Sequence, residues 1–192
     1  MAVDLAKGQK LSLEKSGGGS LTRVFMGLGW DAVRRGFLRK KSIDVDLDAS
    51  CLLLDRSGKL VDTVWFQQLR SKDGSVQHHG DNRTGEGEGD DEVIVVDLTA
   101  VPAGVQTLVF TVSSFTGEDF SHIENAFCRL VDAAGPAQTE LARYSLSGSG
   151  THTAQIMASL TRDGSGWTMT AIGAPASGRT IRDLVPAVAR VL

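Results

Sequence analysis

The feature that most constrains the fold of this sequence is a series of about ten short apolar stretches that follow one another at even intervals. Several stretches alternate apolar and polar residues, which is the pattern of a strand with one buried face. Turn-forming combinations of glycine, proline, aspartate and serine separate nearly all of them, mostly with no helical pattern in between. The series predicts a mainly β fold, an antiparallel β-sandwich of about ten strands.

Residues 180–192 carry a different pattern from the rest of the chain. Asp183 stands near the start of this segment and Arg190 near its end, an arrangement that suits the dipole of a helix. Pro186 requires the helix to begin after Thr180 or to kink. We predict one C-terminal helix that packs on the sandwich. Its apolar positions, which recur at helical spacing, are Ile181, Leu184, Val185, Val188 and Leu192.

Chain length and composition indicate one domain that spans residues 1–192. A content of 41% hydrophobic and 22% charged residues excludes wholesale disorder. No apolar run approaches the roughly 20 residues that span a bilayer, and the N-terminus lacks the pattern of a secretory signal. Two cysteines, Cys51 and Cys128, are too few for a disulfide scaffold or a thiolate metal site. We therefore expect a cytoplasmic protein with both cysteines in its core.

Acidic residues are concentrated in one part of the chain. Residues 44–97 contain 13 acidic and 5 basic residues, whereas the remaining residues contain 10 acidic and 15 basic ones. Residues 81–92, which we call the acidic segment, hold six carboxylates and one arginine. This asymmetry directs the search for a functional site to the acidic part of the chain.

The acidic segment ends a longer stretch, residues 71–92, in which we predict no strand. A stretch of this length without secondary structure is commonly either functional or disordered. Two carboxylates about 4 Å apart repel each other by about 1 kcal/mol in water, and by about 4 kcal/mol at an effective dielectric constant of 20. A hard cation such as calcium would offset the repulsion, because carboxylate, amide, hydroxyl and carbonyl oxygens are its preferred ligands. From these residues alone, a solvated acidic loop is an equally good interpretation.

Two further acidic groups favour a cation site. Asp44, Asp46 and Asp48 alternate with apolar residues, so they share one face of a predicted strand. Asp31 lies in a predicted turn after another strand, at the end of the segment Gly-Leu-Gly-Trp-Asp. If the sandwich brings these aspartates and the acidic segment to one end, they form a site with several oxygen ligands.

Two established binding motifs are excluded in the acidic region. The EF-hand pattern fails from Asp44, because Ala49 stands where its sharp turn requires glycine. The segment Gly-Glu-Gly-Glu-Gly at residues 85–89 lacks the lysine of a phosphate-binding loop, and its glutamates would repel phosphate. A cation site here therefore follows neither pattern.

The other reactive or charged residues predict no chemistry. His78 and His79 lack a third zinc ligand at suitable spacing, so we expect a solvent-exposed pair. The basic residues 34–41 have few aromatic neighbours, which argues against nucleic-acid binding and favours a short solvated loop. No Gly-x-Ser-x-Gly motif is present. We therefore expect that the protein is not an enzyme.

Four segments together form a distinctive pattern along the chain. They are Gly-Leu-Gly-Trp-Asp at residues 27–31, Asp-Val-Asp-Leu-Asp-Ala-Ser at 44–50, Gly-Asp-Asn-Arg-Thr-Gly-Glu-Gly-Glu-Gly-Asp-Asp-Glu at 80–92, and Ala-Phe-Cys-Arg-Leu-Val at 126–131. The pattern strongly resembles the TerD-like tellurium-resistance family, over nearly the whole chain, and the third segment is highly specific. The resemblance implies a small bacterial cytoplasmic β-sandwich that binds calcium and belongs to operons linked to tellurite resistance and general stress.

The resemblance also implies which residues bind metal. It implies two neighbouring calcium ions rather than one, with backbone carbonyls providing part of the coordination. Typical members carry two asparagines where this chain has Gln67 and Gln68, which is similar to the TerZ branch and leaves a ligand at that position open. The implied metal ligands are Asp31, Asp46, Asp48, Asp81, Asn82, Thr84, Asp90, Asp91 and Glu92.

We expect a calcium-binding, non-enzymatic module of a bacterial tellurite-resistance and general stress-response system. The resemblance implies that its partners are other proteins of that system, at the inner membrane face. The first alternative is a calcium-dependent binder of lipid headgroups, sugars or small metabolites, which incomplete coordination of the ion by the protein would favour. The second is a metal-dependent hydrolase, which requires an open metal position and a general base that no residue suggests.

Overall fold

The computed structural model describes residues 3–4, 6–14, 18–31, 33–35, 41–43, 46–80, 89–121, 123–135, 137–146, 150–164 and 166–192. In these residues fourteen strands form two six-stranded sheets and one two-stranded sheet, and one helix follows them. The elements are β1 (Val3–Asp4), β2 (Lys10–Ser12), β3 (Arg23–Asp31), β4 (Val33–Arg35), β5 (Lys41–Ile43), β6 (Leu47–Leu54), β7 (Leu60–Val64), β8 (Val76–His79), β9 (Glu92–Asp97), β10 (Thr107–Ser114), β11 (Glu124–Asp132), β12 (Thr139–Ser145), β13 (Ala154–Asp163), β14 (Gly166–Ala176) and α1 (Ile181–Val191).

The two six-stranded sheets pack face to face as a sandwich. The first sheet has the strand order β1-β12-β11-β3-β9-β8, and the second has the order β2-β14-β13-β10-β6-β7. Among the described strands of these sheets, β1 and β12 pair in parallel, and the other pairs are antiparallel. The predicted antiparallel sandwich with a C-terminal helix is confirmed. The number of strands exceeds the expected ten or so because short strands such as β4 and β5 leave too little alternation to recognise.

The hydrophobic core lies between the two sheets. Alternate residues of β3 and β6 point into it, as the period of two along a strand requires. Cys51 and Cys128 also lie in this core, as expected. Burial raises the pKa of Cys128 to about 12 and strongly raises that of Cys51, so both thiols stay protonated at neutral pH. The inward residues of β3 and β6 are Val24, Met26, Leu28, Trp30, Leu47, Ala49, Cys51 and Leu53.

The helix α1 covers the outer face of the second sheet. Ile181 and Val188 of the helix belong to one apolar cluster with Leu52, which points outward from β6. The helix begins directly after Thr180, as predicted, and Pro186 lies inside it. The sandwich is therefore asymmetric in the residues that the structure describes, because the outer face of the first sheet carries no helix there.

The prediction that residues 71–92 contain no strand is wrong. Strand β8 lies within this range, and β9 begins at its last residue. The strand β8 is an edge strand whose paired neighbour is β9, and its residues alternate between buried and exposed. The sequence conceals this alternation because the second inward position is His78, a polar residue where a strand pattern requires an apolar one.

The expectation of a short solvated loop at residues 34–41 is also wrong at its ends. Strands β4 and β5 pair antiparallel, with Val33 opposite Ile43 and Arg35 opposite Lys41. Residues 36–40, between the two strands, lie outside the described residues. Five of the eight residues 34–41 are arginine or lysine, so this sequence lacks the apolar alternation by which a strand is recognised.

Candidate metal centre

The predicted metal ligands that the structure describes lie at one end of the sandwich. The last residue of β3 and the first of β9 share this end because the two strands pair antiparallel. The start of β6 joins them, since a side chain of β9 reaches its backbone there. Asp81, Asn82 and Thr84 lie outside the described residues, so their roles remain predictions. The ligands placed at this end are Asp31, Asp46, Asp48, Asp90, Asp91 and Glu92.

Asp31 and Asp90 lie close enough to Asp91 to act on it electrostatically. The Trp30 N–H donates to Asp91 Oδ2 at 2.9 Å, and the Asp91 N–H donates to the Leu28 carbonyl at 2.7 Å, which fixes Asp91 beside the end of β3. Burial raises the pKa of Asp91 against the effect of the Trp30 N–H, and the charges of Asp31 and Asp90 raise it further. Negative charge therefore accumulates at this point of the structure.

Asp31 is held by a residue that the sequence did not single out. Asn125 Nδ2 donates to Asp31 Oδ2 at 2.5 Å. Asn125 has a φ of 51°, in the left-handed region that asparagine tolerates better than most residues. It lies where the register between β11 and β3 shifts, and this irregularity aims its amide at the end of β3. No sequence pattern distinguishes such an asparagine from an ordinary polar residue.

Asp46 and Asp48 approach the same end from the second sheet. They are 8% and 3% exposed, although Asp48 points away from the core between the sheets. The Phe115 N–H donates to the Asp46 carbonyl at 2.8 Å, and the Asp46 N–H donates to Thr116 Oγ1 at 3.3 Å. The segment after β10 thus lies against the backbone of Asp46 and contributes to the burial of this end of β6.

Glu92 points into the interior, between the two sheets. It is 0% exposed, and its Oε2 accepts a hydrogen bond from the Ala49 N–H of β6 at 2.6 Å. His78 Nε2 of β8 lies 3.4 Å from the same oxygen. The expectation that His78 and His79 form a solvent-exposed pair is therefore wrong for His78, which is buried, while His79 is exposed. Strand alternation explains the difference, because consecutive residues of β8 face opposite sides.

Asp90 points to the outer face of the first sheet. Its Oδ1 accepts a hydrogen bond from Arg129 Nε at 2.8 Å, and its Oδ2 accepts one from Arg129 Nη2 at 2.9 Å. Hydrogen bonding to Asp90 raises the pKa of Arg129, so the guanidinium remains charged. Arg129 is the second residue whose role the sequence did not reveal. An outward arginine between inward Cys128 and Leu130 looks like any solvated side chain of a strand.

Three consecutive acidic residues thus point in three directions: Asp90 outward, Asp91 along the strand end and Glu92 inward. Among the described residues, no group of three or more histidine, cysteine, aspartate or glutamate side chains is arranged to hold a metal ion. The donor set nevertheless suits a hard cation, because it consists of carboxylate oxygens, and the charges of Asp31 and Asp90 act on Asp91. The described residues therefore fit a hard cation by their donor chemistry but do not form a metal-binding group by themselves.

Gln67 and Gln68, which the sequence left open as metal ligands, follow β7 of the second sheet. Gln68 Nε2 donates to Asp62 Oδ1 at 2.9 Å, whereas Gln67 is exposed. The Gln68 amide thus helps to hold Asp62 of β7. Its role as a metal ligand stays an open prediction.

Among the residues that the structure describes, no helix has the length and apolar character that crossing a membrane requires.

Comparison with known proteins identifies relatives over nearly the whole chain. The TerD domain family matches residues 1–186. The tellurium resistance protein TerZ of Serratia marcescens is 48% identical over 186 residues, which cover 95% of this chain and 94% of that protein. The stress response protein SCP2 of Bacillus subtilis (strain 168) is 38% identical, over 96% of this chain and 98% of that protein. The tellurium resistance protein TerD of Serratia marcescens is 41% identical, over 90% of each chain.

Solved structures agree with the fold. A homologue of the telluride resistance protein TerD from Streptomyces coelicolor A3(2) superposes with a TM-score of 0.72, over 86% of this chain and 96% of that one. Its sequence is 21% identical, so the similarity supports the fold alone.

Proposed function

The chain belongs to the TerD domain family, and from that premise we propose that it is a calcium-binding, non-enzymatic protein of a stress response. Relatives that match nearly the whole chain are named for tellurium resistance and for stress response. Calcium binding follows from the family resemblance together with the chemistry of the acidic end of the sandwich. We propose that the protein works in the cytoplasm, with other proteins of a tellurite-resistance system as its partners.

The observation that carries the proposal is that Asp91 is partly buried with Asp31 and Asp90 close by, and that burial and then these two charges raise the pKa of Asp91. Like charges that raise the pKa of a neighbour also raise the free energy of the ionised site, and a bound cation removes this cost. Asp31 and Asp91 of the first sheet, with Asp46 and Asp48 of the second, would hold the ion. Asp81, Asn82 and Thr84 would add oxygen ligands from the acidic segment, and Asp90 and Glu92 complete the proposed set.

Calcium is preferred to magnesium in this proposal because the acidic segment is rich in glycine and the donors come from several strands. Calcium accepts six to eight oxygens at about 2.3–2.6 Å in irregular geometry. Magnesium requires near-ideal octahedral geometry at about 2.0–2.1 Å and gives up its waters reluctantly. Closer approach would also increase repulsion among the carboxylates.

The test is isothermal titration calorimetry with calcium on chelator-treated protein, repeated in excess magnesium. Asp46→Asn is expected to weaken calcium binding strongly. Asp163→Asn is the matched control, because Asp163 ends β13 outside the acidic region and accepts a hydrogen bond only weakly, from Thr168 Oγ1 at 3.4 Å. Equal affinities of the two variants would show that the ligands are misassigned. Magnesium that competes with similar affinity would mean a generic cation site and would refute the calcium proposal.

A calcium-dependent binder of lipid headgroups is the second candidate, and one observation favours it. Phe115 directly follows β10, is 39% exposed, and packs edge-on against Phe66 with ring centroids 5.6 Å apart. Its N–H is bonded to the carbonyl of Asp46, a proposed ligand, so an exposed ring lies beside the cation site. Sedimentation with vesicles of anionic phospholipid tests this candidate. Binding that requires calcium and is lost in Phe115→Ser would support it, and calcium-independent binding would refute it.

A further inference from the structure

Asp90 is held in place by residues that are themselves not part of the proposed cation site. We infer that Arg129 is a positioning residue, which fixes the C-terminal end of the acidic segment on the first sheet through Asp90 and so sets the calcium affinity without binding the ion. The inference rests on the proposed function for its effect on affinity. The anchoring itself is a property of the protein alone and is tested separately.

The ion pair between Arg129 and Asp90 fixes orientation as well as position. Both carboxylate oxygens accept a hydrogen bond from the guanidinium, at 2.8 and 2.9 Å. A two-bond fork between planar groups permits one relative orientation, whereas a single bond to lysine permits many. The Asp90 side chain is 8% exposed as a result of this packing, so little of it reaches solvent.

Two glycines of β3 allow the chain to lie directly on the sheet. A Cβ added to Gly27 would stand 2.4 Å from Asp90 Cγ, and one added to Gly29 would stand 2.5 Å from the carbonyl oxygen of Gly89. The three nearest atoms to a Gly27 Cβ are all atoms of the Asp90 carboxylate. Neither glycine has a positive φ, so close approach, rather than backbone conformation, accounts for them.

Arg129 is itself fixed from its other side. Its Nη1 donates to Glu140 Oε2 at 3.0 Å, and Glu140 also accepts a hydrogen bond from Arg143 Nε at 2.8 Å. The guanidinium of Arg129 on β11 therefore lies between two carboxylates, that of Glu140 on the neighbouring strand β12 and that of Asp90 before β9. Because Arg129 is itself fixed on the sheet, it holds Asp90 in a defined position. Asp90 in turn restricts the position of the adjacent Asp91.

This anchoring affects cation binding because ordering a site in advance removes part of the entropic cost of binding. Residues that orient a metal ligand without contacting the metal change affinity by about 10- to 100-fold when they are replaced. We therefore expect Arg129→Gln to weaken calcium binding at least tenfold. Arg129→Lys should recover part of the loss, since it keeps the charge but not the fork.

The decisive variant is Gly27→Ala. It removes no charge and no polar atom, and the added methyl group displaces the Asp90 carboxylate, so it should weaken calcium binding as Arg129→Gln does. Arg56→Gln is the matched control, because it removes the same charge at an exposed position after β6, at the opposite end of that strand from Asp46 and Asp48. Its calcium affinity should equal that of the wild type. Calorimetry measures the affinities, and near-ultraviolet circular dichroism checks that each variant is folded.

Hydrogen exchange in calcium-free protein gives a readout that does not depend on the ion. The amides of Trp30 and Asp91 should exchange faster in Arg129→Gln and in Gly27→Ala, and at the wild-type rate in Arg56→Gln. Unchanged exchange in both test variants would overturn the anchoring. If the wild-type protein binds no calcium, the proposed function is refuted, and so is the effect of Arg129 on calcium affinity. The hydrogen-exchange rates of the variants would still test whether Arg129 anchors Asp90.

If the wild type binds calcium and Arg129→Gln binds it as well or more tightly, the inference is overturned while the proposed function stands. Tighter binding would have a distinct meaning: Arg129 would compete with the ion for the carboxylate of Asp90.

Discussion

Among single residues, Glu92 shows how a carboxylate can belong to an acidic segment and yet support the fold. Its buried side chain accepts the Ala49 N–H across the gap between the sheets. That amide belongs to the part of β6 that precedes the residues paired with β7. A buried N–H without an acceptor is costly. Because β7 does not extend to Ala49, the carboxylate of Glu92 acts as the acceptor that a neighbouring strand would otherwise provide.

Glu92→Gln should lower the free energy of unfolding by about 1–3 kcal/mol in the presence of chelator. The neutral amide is a weaker acceptor, and its own N–H groups are placed beside the Ala49 N–H and His78. Urea unfolding measures the change. Glu14→Gln, at an exposed position, is the control and should stay within about 0.5 kcal/mol of the wild type. Equal effects of the two substitutions would contradict the role of Glu92 between the sheets.

The raised pKa of Asp91 predicts that the stability of the folded protein depends on pH. Burial, and then the charges of Asp31 and Asp90, hold the pKa of Asp91 above its usual value. The folded state therefore binds this proton more tightly than the unfolded state, and the contribution of Asp91 to stability falls as pH rises through its folded pKa. In calcium-free protein, Asp91→Asn should be more stable than the wild type at neutral pH, because its amide oxygen can still accept the Trp30 N–H.

The difference between Asp91→Asn and the wild type should disappear below about pH 4, where the unfolded carboxyl is also protonated. Thermal unfolding in chelator from pH 3 to pH 7 measures it. A difference that is constant over this range would mean that the charge of Asp91 is not responsible.

Among secondary-structure elements, those with apolar alternation could be predicted and those without it could not. Strand β6 is recognisable because its inward positions are apolar and its outward ones polar near its start. Strand β8 is not, since His78 occupies an inward position beside Glu92. The sequence also shows that three acidic groups can meet at one end of a sandwich, because antiparallel strands bring their opposite termini together.

The directions of Asp90, Asp91 and Glu92 could not be predicted, because they depend on where β9 begins and on the space above Gly27. A run of acidic residues looks like a single cluster in sequence. On a strand end, its members are distributed to the two faces of the sheet.

The start of helix α1 is capped by the side chain of Asp183. Asp183 Oδ2 accepts the N–H groups of Arg179 and Thr180 at 2.9 and 3.0 Å, which would otherwise lack partners at the first turn. These hydrogen bonds lower the pKa of Asp183, so their contribution is present above its unfolded pKa and is lost as pH falls through the folded one. Asp183→Ala should cost about 1 kcal/mol at neutral pH, and Asp183→Asn less, because it keeps an acceptor. Urea unfolding at pH 7 compares the two, and equal losses would contradict the capping role.

For the whole molecule, the division of the proposed ligands between two sheets is the important property. Asp31 ends β3 of the first sheet and Asp91 directly precedes β9, whereas Asp48 lies in β6 of the second sheet and Asp46 directly precedes it. An ion bound by both groups would join the sheets at this end, so its binding energy would add to the stability of the sandwich. Calcium at a hundredfold excess over its dissociation constant stabilises a protein by about 2.7 kcal/mol.

For a chain of this length, that gain corresponds to a rise in melting temperature of about 5–10 °C. Differential scanning calorimetry with calcium, with magnesium at the same concentration, and with chelator measures the shift. Magnesium should produce a smaller rise than calcium. A melting temperature that chelator leaves unchanged in calcium-loaded protein would contradict a structural role for the ion.

The burial of sulfur in the core has a consequence for a protein related to tellurium-resistance proteins. Oxidants and soft metalloid species attack accessible thiolates and exposed thioethers. Here both thiols are sequestered and protonated, and Met26, Met157 and Met169 are 3%, 2% and 3% exposed. These five sulfur atoms are thus poorly accessible to such agents in the folded protein. The native fold therefore protects these sulfur atoms. A loss of stability in a stressed cell would expose them to oxidation.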